Sequence, residues 1–440
     1  MNLTLDTKKV AGTIRPLHGL CNAPIISNGD SLMHYLKEAG IPYSRLHDMG
    51  GGFGGYLYVD VPNIFRDENA DPEDENSYDF AFTDNLLKIL IDYGCEPIYR
   101  LGVTIENYQK IKAYRIHPPK DMKKWANVCK HIVMHYNAGW ANGFYYNIKN
   151  WEVWNEPEND HPDGDNQMWT GTMEQYFELY KETSIALKSA FPDILVGGYG
   201  SCGLYGLEPE KYEGAELKRQ IYRLDFFHKF IEFVAENKLP LDFFAWHTYE
   251  SVSVSVMFAE YIRNYLDKYG LKDTKSYLLE WNSNSPWNTD YDLVDRHSPK
   301  AAADAAAMII AMHDAGVDIA TFYQASIGIT IFNGILHPYT RRPFKIYYVF
   351  KAFNELYKLK TEVVCSAGDN NKLYALAAKD GNICKMLITN PTNKTENFTT
   401  DMNIKKVFAI DREYDFEEIK ASKNTLSVKA ESVYLVEFEI

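Results

Sequence analysis

Two segments of the chain combine an apolar, strand-like run with a carboxylate at its end. Residues 151–157 read WEVWNEP, so a run that begins at Trp151 ends at Glu156 and is stopped by Pro157. Residues 277–282 read YLLEWN, in which an apolar run ends at Glu280. Two carboxyl groups that flank one bond are what glycoside hydrolysis requires, since one protonates the leaving oxygen and the other attacks or activates water.

Strand-like runs alternate with amphipathic helical runs through most of the chain. The predicted strands cover residues 17–23, 43–47, 96–101, 150–154, 194–199, 242–247, 276–280 and 319–325. The predicted helices cover residues 30–40, 82–93, 121–138, 174–190, 220–236, 257–269, 299–315 and 344–358. Eight such pairs in a row predict an α/β fold, a closed (β/α)₈ TIM barrel. Glu156 and Glu280 then lie at the carboxyl ends of the fourth and seventh strands, where active sites of such barrels form.

The periodicity changes after about residue 359. Short strands are predicted at residues 372–377, 383–389, 406–410 and 426–440, separated by turn-rich pieces. We therefore expect a catalytic barrel over residues 13–358 and a small all-β, β-sandwich-like domain over 359–440. Residues 1–12 alternate like an edge strand and are expected to join that domain. Residues 50–55 read GGGFGG and are predicted to be a flexible loop that borders the barrel mouth.

These motifs carry a resemblance to a known family. Asn-Glu-Pro after the fourth strand and Glu-Trp after the seventh are similar to the clan A superfamily of retaining glycosidases. Within it, the chain resembles glycoside hydrolase family 39, the family of β-xylosidases and α-L-iduronidases. The supporting pieces are RLH at residues 45–47, HPPKD at residues 117–121 and the small C-terminal β-domain. The resemblance implies a retaining glycoside hydrolase, with exo-action on β-linked pentosides such as β-xylosides as the leading expectation.

The resemblance also implies roles for the residues that match its motifs. Glu156 would be the acid/base, Glu280 the nucleophile, and Asn155 would hold the sugar 2-hydroxyl. In a retaining enzyme the two carboxyl groups lie about 5–5.5 Å apart. The charge of Glu280 is then expected to raise the pKa of Glu156 and keep it protonated in the resting enzyme.

Further residues would complete the site. Arg45 would keep Glu280 ionised, and Tyr249, in an H-x-Y pattern with His247, would hydrogen-bond Glu280. His47 and His247 would contact the sugar. Tyr323 would take the place of a tryptophan that the superfamily often has on the eighth strand. Trp281 could stack on a sugar or pack in the core.

The composition narrows the possible partners. A net charge of −14 without a basic run argues against nucleic acid and anionic membranes as partners. The family resemblance implies an oligosaccharide or glycoside substrate. A homo-oligomer remains possible. Six scattered cysteines predict reduced thiols, and residues 1–10 lack an apolar signal core. We expect a cytoplasmic protein, with a secreted mature form left open. His131 and His135 have zinc-helix spacing, but Ile132 stands where a glutamate is needed, so neither metal nor cofactor is predicted.

The motifs leave several alternatives open. An endo-glycanase, an α-L-iduronidase and an arabinosidase would share both glutamates. A carbohydrate-binding protein that has lost catalysis would not need Glu156, Asn155 and Glu280 intact. A metal-dependent sugar isomerase or lyase could use His47, Asp48 and His247 as ligands, but it would leave the Asn-Glu-Pro motif unexplained.

Overall fold

The structure is a computed structural model that describes residues 1–24, 32–49, 59–105, 116–282, 298–325, 332, 334–368 and 373–439. The predicted glycine-rich loop at residues 50–55 lies outside these ranges. No helix in the described ranges is long and apolar enough to cross a membrane.

A closed parallel barrel forms the larger part of the molecule, which confirms the predicted fold class. Strand β1 (Leu3–Thr13) precedes it. The barrel strands follow in chain order as β2 (Gly19–Cys21), β3 (Tyr43–Leu46), β4 (Glu96–Leu101), β5 (Asn150–Val153), β6 (Leu195–Ser201), β7 (Phe243–Thr248), β8 (Lys275–Trp281) and β9 (Ile319–Phe322). Each pairs in parallel with the next, and β9 pairs with β2. The strands read as nearly continuous apolar runs because helices cover their outer face while side chains fill the interior.

The helices connect successive strands. They are α1 (Met33–Ala39), α2 (Val61–Ile64), α3 (Ala81–Asp92), α4 (Met122–Ala138), α5 (Met173–Ala190), α6 (Gly214–Glu236), α7 (Val252–Lys268), α8 (Pro299–Asp314) and α9 (Lys345–Tyr357). Local signals fix some of their ends. The Asp121 side chain accepts hydrogen bonds from the first amides of α4, and Thr172 and Gln175 form a reciprocal capping box at α5.

The C-terminal domain is antiparallel. Its strands are β10 (Thr361–Ala367), β11 (Tyr374–Asp380), β12 (Ile383–Asn390), β13 (Glu396–Thr399), β14 (Asn403–Ile410), β15 (Asp415–Ile419), β16 (Thr425–Val428) and β17 (Ser432–Glu439). The large sheet has the order β1-β10-β11-β12-β17-β14-β15, so the N-terminal strand joins it through β10, while β13 and β16 form a separate pair. Helix α8 is buried almost all round because this domain covers its outer side; the Thr389 hydroxyl donates to the Ala303 carbonyl at 3.0 Å.

One prediction in this domain is wrong. The sequence predicts a single strand over residues 426–440, but the structure has two, β16 and β17, which pair with different neighbours. The chain turns between them, and Glu431 has a φ of 52°, far from the extended values of a regular strand. The apolar alternation on both sides conceals the turn because Lys429-Ala430-Glu431 contains neither glycine nor proline.

Candidate active site

The loop after β5 presents Glu156 in a constrained conformation. Trp154 and Glu156 have φ values of 71° and 44°, in a region that non-glycine residues rarely occupy. Neighbouring strands hold this loop: the Trp154 amide donates to the Leu101 carbonyl at 2.8 Å, and the Glu156 amide donates to the Gly200 carbonyl at 3.0 Å. The Trp154 ring is fully buried, and its Nε1 donates to the Met168 carbonyl. The surrounding contacts therefore maintain a backbone that would be unfavourable alone.

A β-bulge in β8 orients the second glutamate. Leu278 pairs with Ala320 and Trp281 with Phe322, so two residues of β8 face one residue of β9. Leu279 packs inside the barrel, and the bulge turns the next residue, Glu280, inward as well. Bulges re-aim side chains in this way and are common beside active sites.

The same bulge turns Trp281 outward, which corrects its predicted contact with substrate. The Trp281 ring is fully buried and packs edge-on against Phe322, with Phe350 of α9 beyond it. Trp281 therefore packs between the barrel and a helix and does not reach the barrel mouth.

The two glutamates meet across one histidine. His247, near the end of β7, places Nδ1 at 2.8 Å from Glu156 Oε1 and 3.7 Å from Glu280 Oε2. One nitrogen or oxygen atom from each of these three side chains lies within 4.8 Å of the corresponding atoms of the other two. Both carboxylates keep slight solvent exposure, 14% for Glu156 and 7% for Glu280. The geometry brings two carboxyl groups close enough to act on the same bond.

Arg45 anchors the base of the site. Its Nη1 lies 2.6 Å from Glu280 Oε1, and its Nε and Nη2 donate to the two oxygens of Glu152 at 2.7 and 3.0 Å. Nη2 also donates to Asn155 Oδ1 at 2.6 Å. Burial opposes the charge of Arg45, but Glu152 and Glu280 outweigh it and raise the Arg45 pKa. A fully charged guanidinium thus holds Glu280 in place and orients Asn155.

Replacing Arg45 by methionine should lower the free energy of unfolding by about 3–5 kcal/mol, because Glu152 would be left as a buried carboxylate without its cation. The matched control is Arg66→Met, since Arg66 forms an exposed ion pair with Asp79 that should contribute only about 0–1 kcal/mol. Urea denaturation of both variants measures the difference. Equal stability losses would contradict the anchoring role.

The remaining predicted residues surround the two glutamates. The Tyr249 hydroxyl donates to Glu280 Oε2 at 2.7 Å. His47 lies beside Asp48, and the Tyr323 hydroxyl donates to Asp48 Oδ2 at 3.1 Å. The Asn155 Nδ2 atom is buried and has no hydrogen-bond partner among the described residues, so it is available to a ligand oxygen. Apart from Trp281, the structure brings all the predicted site residues together.

The environment of Glu156 overturns the predicted direction of its pKa. Burial raises it, but the hydrogen bond and charge of His247, the charge of Arg223 and a hydrogen bond from Asn159 Nδ2 together lower the Glu156 pKa to about 2. The prediction considered only the charge of Glu280. Glu156 and His247 therefore act as a coupled pair, in which the imidazole stabilises the carboxylate.

Replacing His247 by phenylalanine should raise the pKa of Glu156. Burial, which raises this pKa, would remain, whereas the hydrogen bond and charge of His247, which lower it most, would be lost. In the wild type the lowered pKa stabilises the fold above the ordinary value of 4.5, and this stabilisation is lost as the pH falls towards about 2. Carboxyl ¹³C NMR measures the titration, with Glu156→Gln to assign the resonance. His228→Phe is the control, because His228 lies on α6 and bonds Tyr261 instead. An unchanged midpoint in His247→Phe would contradict the coupling.

Sequence reasoning missed several residues of the site. Glu152 carried a visible signal, a carboxylate in the middle of an otherwise apolar strand. Asn159 bonds Glu156, and Arg223 Nη2 donates to the Asn159 carbonyl at 2.7 Å. Arg223 belongs to α6, far along the chain, and nothing in its local sequence marks it. Among the described residues, Glu156, His247 and Glu280 also form a set that could hold a metal ion. Glu156 is hydrogen-bonded to His247, and Glu280 is paired with Arg45 and hydrogen-bonded by Tyr249, so both carboxylates have partners within the protein.

The fold and this site define a class of protein: a (β/α)₈ barrel with paired glutamates after its fourth and seventh strands. The chain belongs to glycosyl hydrolases family 39, whose model matches residues 6–336.

Relatives and solved structures agree with this membership. The chain is 26% identical over 264 residues to a beta-xylosidase of Caldicellulosiruptor saccharolyticus, a match that covers 57% of this chain and 46% of that protein. It is 27% identical over 232 residues to a beta-xylosidase of Geobacillus stearothermophilus, covering 50% of this chain and 39% of that one. The matches thus span less than half the length of these relatives. The fold is similar to that of a glucosidase from Croceicoccus marinus, with a TM-score of 0.78 at 21% identity, covering 100% of this chain and 98% of that one. It is also similar to a GH39 beta-xylosidase from Caulobacter crescentus, with a TM-score of 0.71 at 18% identity over 100% of both chains.

Proposed function

We propose that the protein is a retaining glycoside hydrolase, exo-acting on β-linked pentosides such as β-xylosides. The observation that carries the proposal is the separation of the two catalytic carboxylates. An oxygen of Glu156 and one of Glu280 lie within 4.8 Å of each other. Oxygens this close support the short separation of about 5–5.5 Å between carboxyl groups in retaining enzymes over the roughly 6.5–9.5 Å in inverting ones.

In the first step Glu280 attacks the anomeric carbon and the glycosidic bond breaks. Arg45 binds one oxygen of Glu280 and Tyr249 the other, so the carboxylate is oriented for attack. The leaving oxygen takes a proton from Glu156, and a covalent glycosyl–Glu280 ester forms. Asn155 Nδ2 offers its free hydrogen bond to the sugar, as the family resemblance implies for the 2-hydroxyl.

The proton for this step is held by the pair of Glu156 and His247. The two side chains share it across the hydrogen bond between His247 Nδ1 and Glu156 Oε1, at 2.8 Å. When the proton lies on Glu156, this carboxyl group is the general acid that the leaving group needs. In the second step Glu156 accepts a proton from water as the water attacks the ester, which returns the proton to the pair and releases the sugar.

The substrate class rests on similarity. Both curated relatives are named beta-xylosidase, which favours β-xylosides over the other glycosides that a pair of glutamates can hydrolyse.

A panel of 4-nitrophenyl glycosides tests the proposal directly. The β-D-xyloside should be turned over fastest, the rate should be unaffected by a chelator, and xylo-oligosaccharides should release xylose from one end. Failure to hydrolyse any aryl glycoside would contradict the hydrolase function. Loss of activity on chelation would contradict the two-glutamate mechanism, and internal cleavage would contradict exo-action.

A further inference from the structure

Another carboxylate, Asp48, lies in the same site on the side of the nucleophile. It follows β3, and its Oδ2 accepts a hydrogen bond from Tyr323, which follows β9, so the two side chains meet above the end of β2. Its Oδ1 lies 3.2 Å from His47 Nε2. The Asp48 side chain is 20% exposed, more than Glu156 or Glu280, and it therefore borders the space open to a ligand.

In the part of the chain that the structure describes, Asp48 has no cation of its own. Arg45 is engaged by Glu152 and Glu280, and the nearby Arg100 is paired with Asp60 at 2.5 Å. Burial lowers the pKa of His47 well below its ordinary value, so its 3.2 Å contact with Asp48 brings no positive charge to the carboxyl group. No lysine or arginine among the described residues forms an ion pair with Asp48.

The electrostatic environment of Asp48 agrees with this geometry. Burial and the negative charge of Glu280 raise the pKa of Asp48 to about 7. A carboxyl group in such a position accepts hydrogen bonds from hydroxyl groups and is stabilised by a nearby cation. A further negative charge brought into the same space would be repelled by Asp48 and Glu280 together.

We propose that Asp48 is a specificity-determining residue that contacts the substrate and selects against sugars with a carboxylate. A neutral sugar would donate a hydroxyl hydrogen bond to Asp48, whereas a uronic acid would place like charges in contact. This inference rests on the proposed function, because it requires a glycoside ligand. Asp48 would distinguish neutral pentosides from iduronides, whereas the two glutamates can act on either class of substrate.

Hydrolysis of two matched substrates tests the proposal. The 4-nitrophenyl β-D-glucoside and β-D-glucuronide differ only in a hydroxymethyl group and a carboxylate. At about pH 8.5, above the pKa of Asp48, kcat/KM of the wild type for the glucuronide should be at least about 100-fold lower, as expected for like charges in contact. In Asp48→Asn the ratio should shift towards the glucuronide by about tenfold or more. Asparagine readily adopts the φ of 56° found at Asp48, so this variant should keep the backbone.

Asp267→Asn is the matched control. It removes the same charge from an exposed ion pair with Arg263 on α7 and should leave the substrate ratio unchanged. A wild type that hydrolyses both substrates equally well, or an Asp48→Asn variant with the wild-type ratio, would overturn the role of Asp48. Hydrolysis of the neutral substrates would then still support the proposed function.

A binding measurement covers the case in which six-carbon sugars are not hydrolysed. Calorimetry would compare 1,5-anhydroxylitol, which is neutral, with 1,5-dideoxy-1,5-iminoxylitol, which carries a ring ammonium. The wild type should prefer the cation, and Asp48→Asn should reduce that preference by about tenfold or more. An unchanged preference would overturn the inference, and failure to bind either pentose analogue would overturn it together with the proposed function.

Discussion

Glu156→Ala should lower kcat/KM on xylobiose by about 10²–10⁴-fold while it largely spares the glycosylation step for an activated aryl xyloside. The difference arises because a poor leaving group needs a proton and a 2,4-dinitrophenolate does not. The second step would then become slow for the aryl substrate, because no residue would deprotonate water. The covalent ester on Glu280 should accumulate and give a burst of nitrophenolate.

Azide should restore turnover of the aryl substrate in this variant. It enters the space left by the carboxylate, needs no base, and should yield a glycosyl azide with the configuration of the substrate. Glu178→Ala is the control, since Glu178 pairs with Lys181 on the surface of α5, and this variant should behave like the wild type. Equal losses of kcat/KM on both substrates, without an effect of azide, would show that another residue is the general acid.

Glu280→Gln should reduce turnover of every glycoside to below about 10⁻⁴ of the wild-type rate, because an amide cannot form the ester intermediate. Arg45 and Tyr249 each donate a hydrogen bond to a different oxygen of Glu280. Glutamine has one oxygen and one NH₂ group, so one of these two donors would face another donor and lose its hydrogen bond. The same residue should be labelled in the wild type by a 2,4-dinitrophenyl 2-deoxy-2-fluoroxyloside, which forms the ester but releases it slowly.

Mass spectrometry of the labelled peptide would identify the nucleophile, and NMR of the first-formed anomer would report net retention. Glu152 provides an internal comparison, because it is a carboxylate that binds the same guanidinium but is fully buried. A label on Glu152 or elsewhere, or an inverted first product, would contradict the assigned mechanism.

The sequence was sufficient for the fold class and for the convergence of Glu156 and Glu280. Glu156 and Glu280 each close an apolar run, and the carboxyl ends of barrel strands converge, so strand order alone brings them to one site. His247, Tyr249 and Arg45 were predicted through the family resemblance. The structure adds the atoms that they bind, which no sequence pattern specifies.

Other features depended on contacts between distant parts of the chain. The pKa of Glu156 is set by His247, Arg223 and Asn159 together, and the prediction weighed only Glu280. Asp48 could be listed from the sequence as a possible metal ligand, but its contact with Tyr323 requires strands at opposite ends of the chain to meet. Such coupling of buried charges follows from three-dimensional proximity, which a pattern of hydrophobicity does not contain.

The bulge in β8 changes how this strand should respond to a difference in length. Leu278 and Leu279 are identical, so the loss of either leaves the sequence YLEW, whose regular alternation still turns the glutamate inward and the tryptophan outward. In a regular strand, the loss of one residue would reverse the facing of every side chain beyond it. Proteins with this barrel can therefore differ by one residue here and keep the glutamate in place. In a related sequence, this glutamate is best located by counting back from the end of the strand.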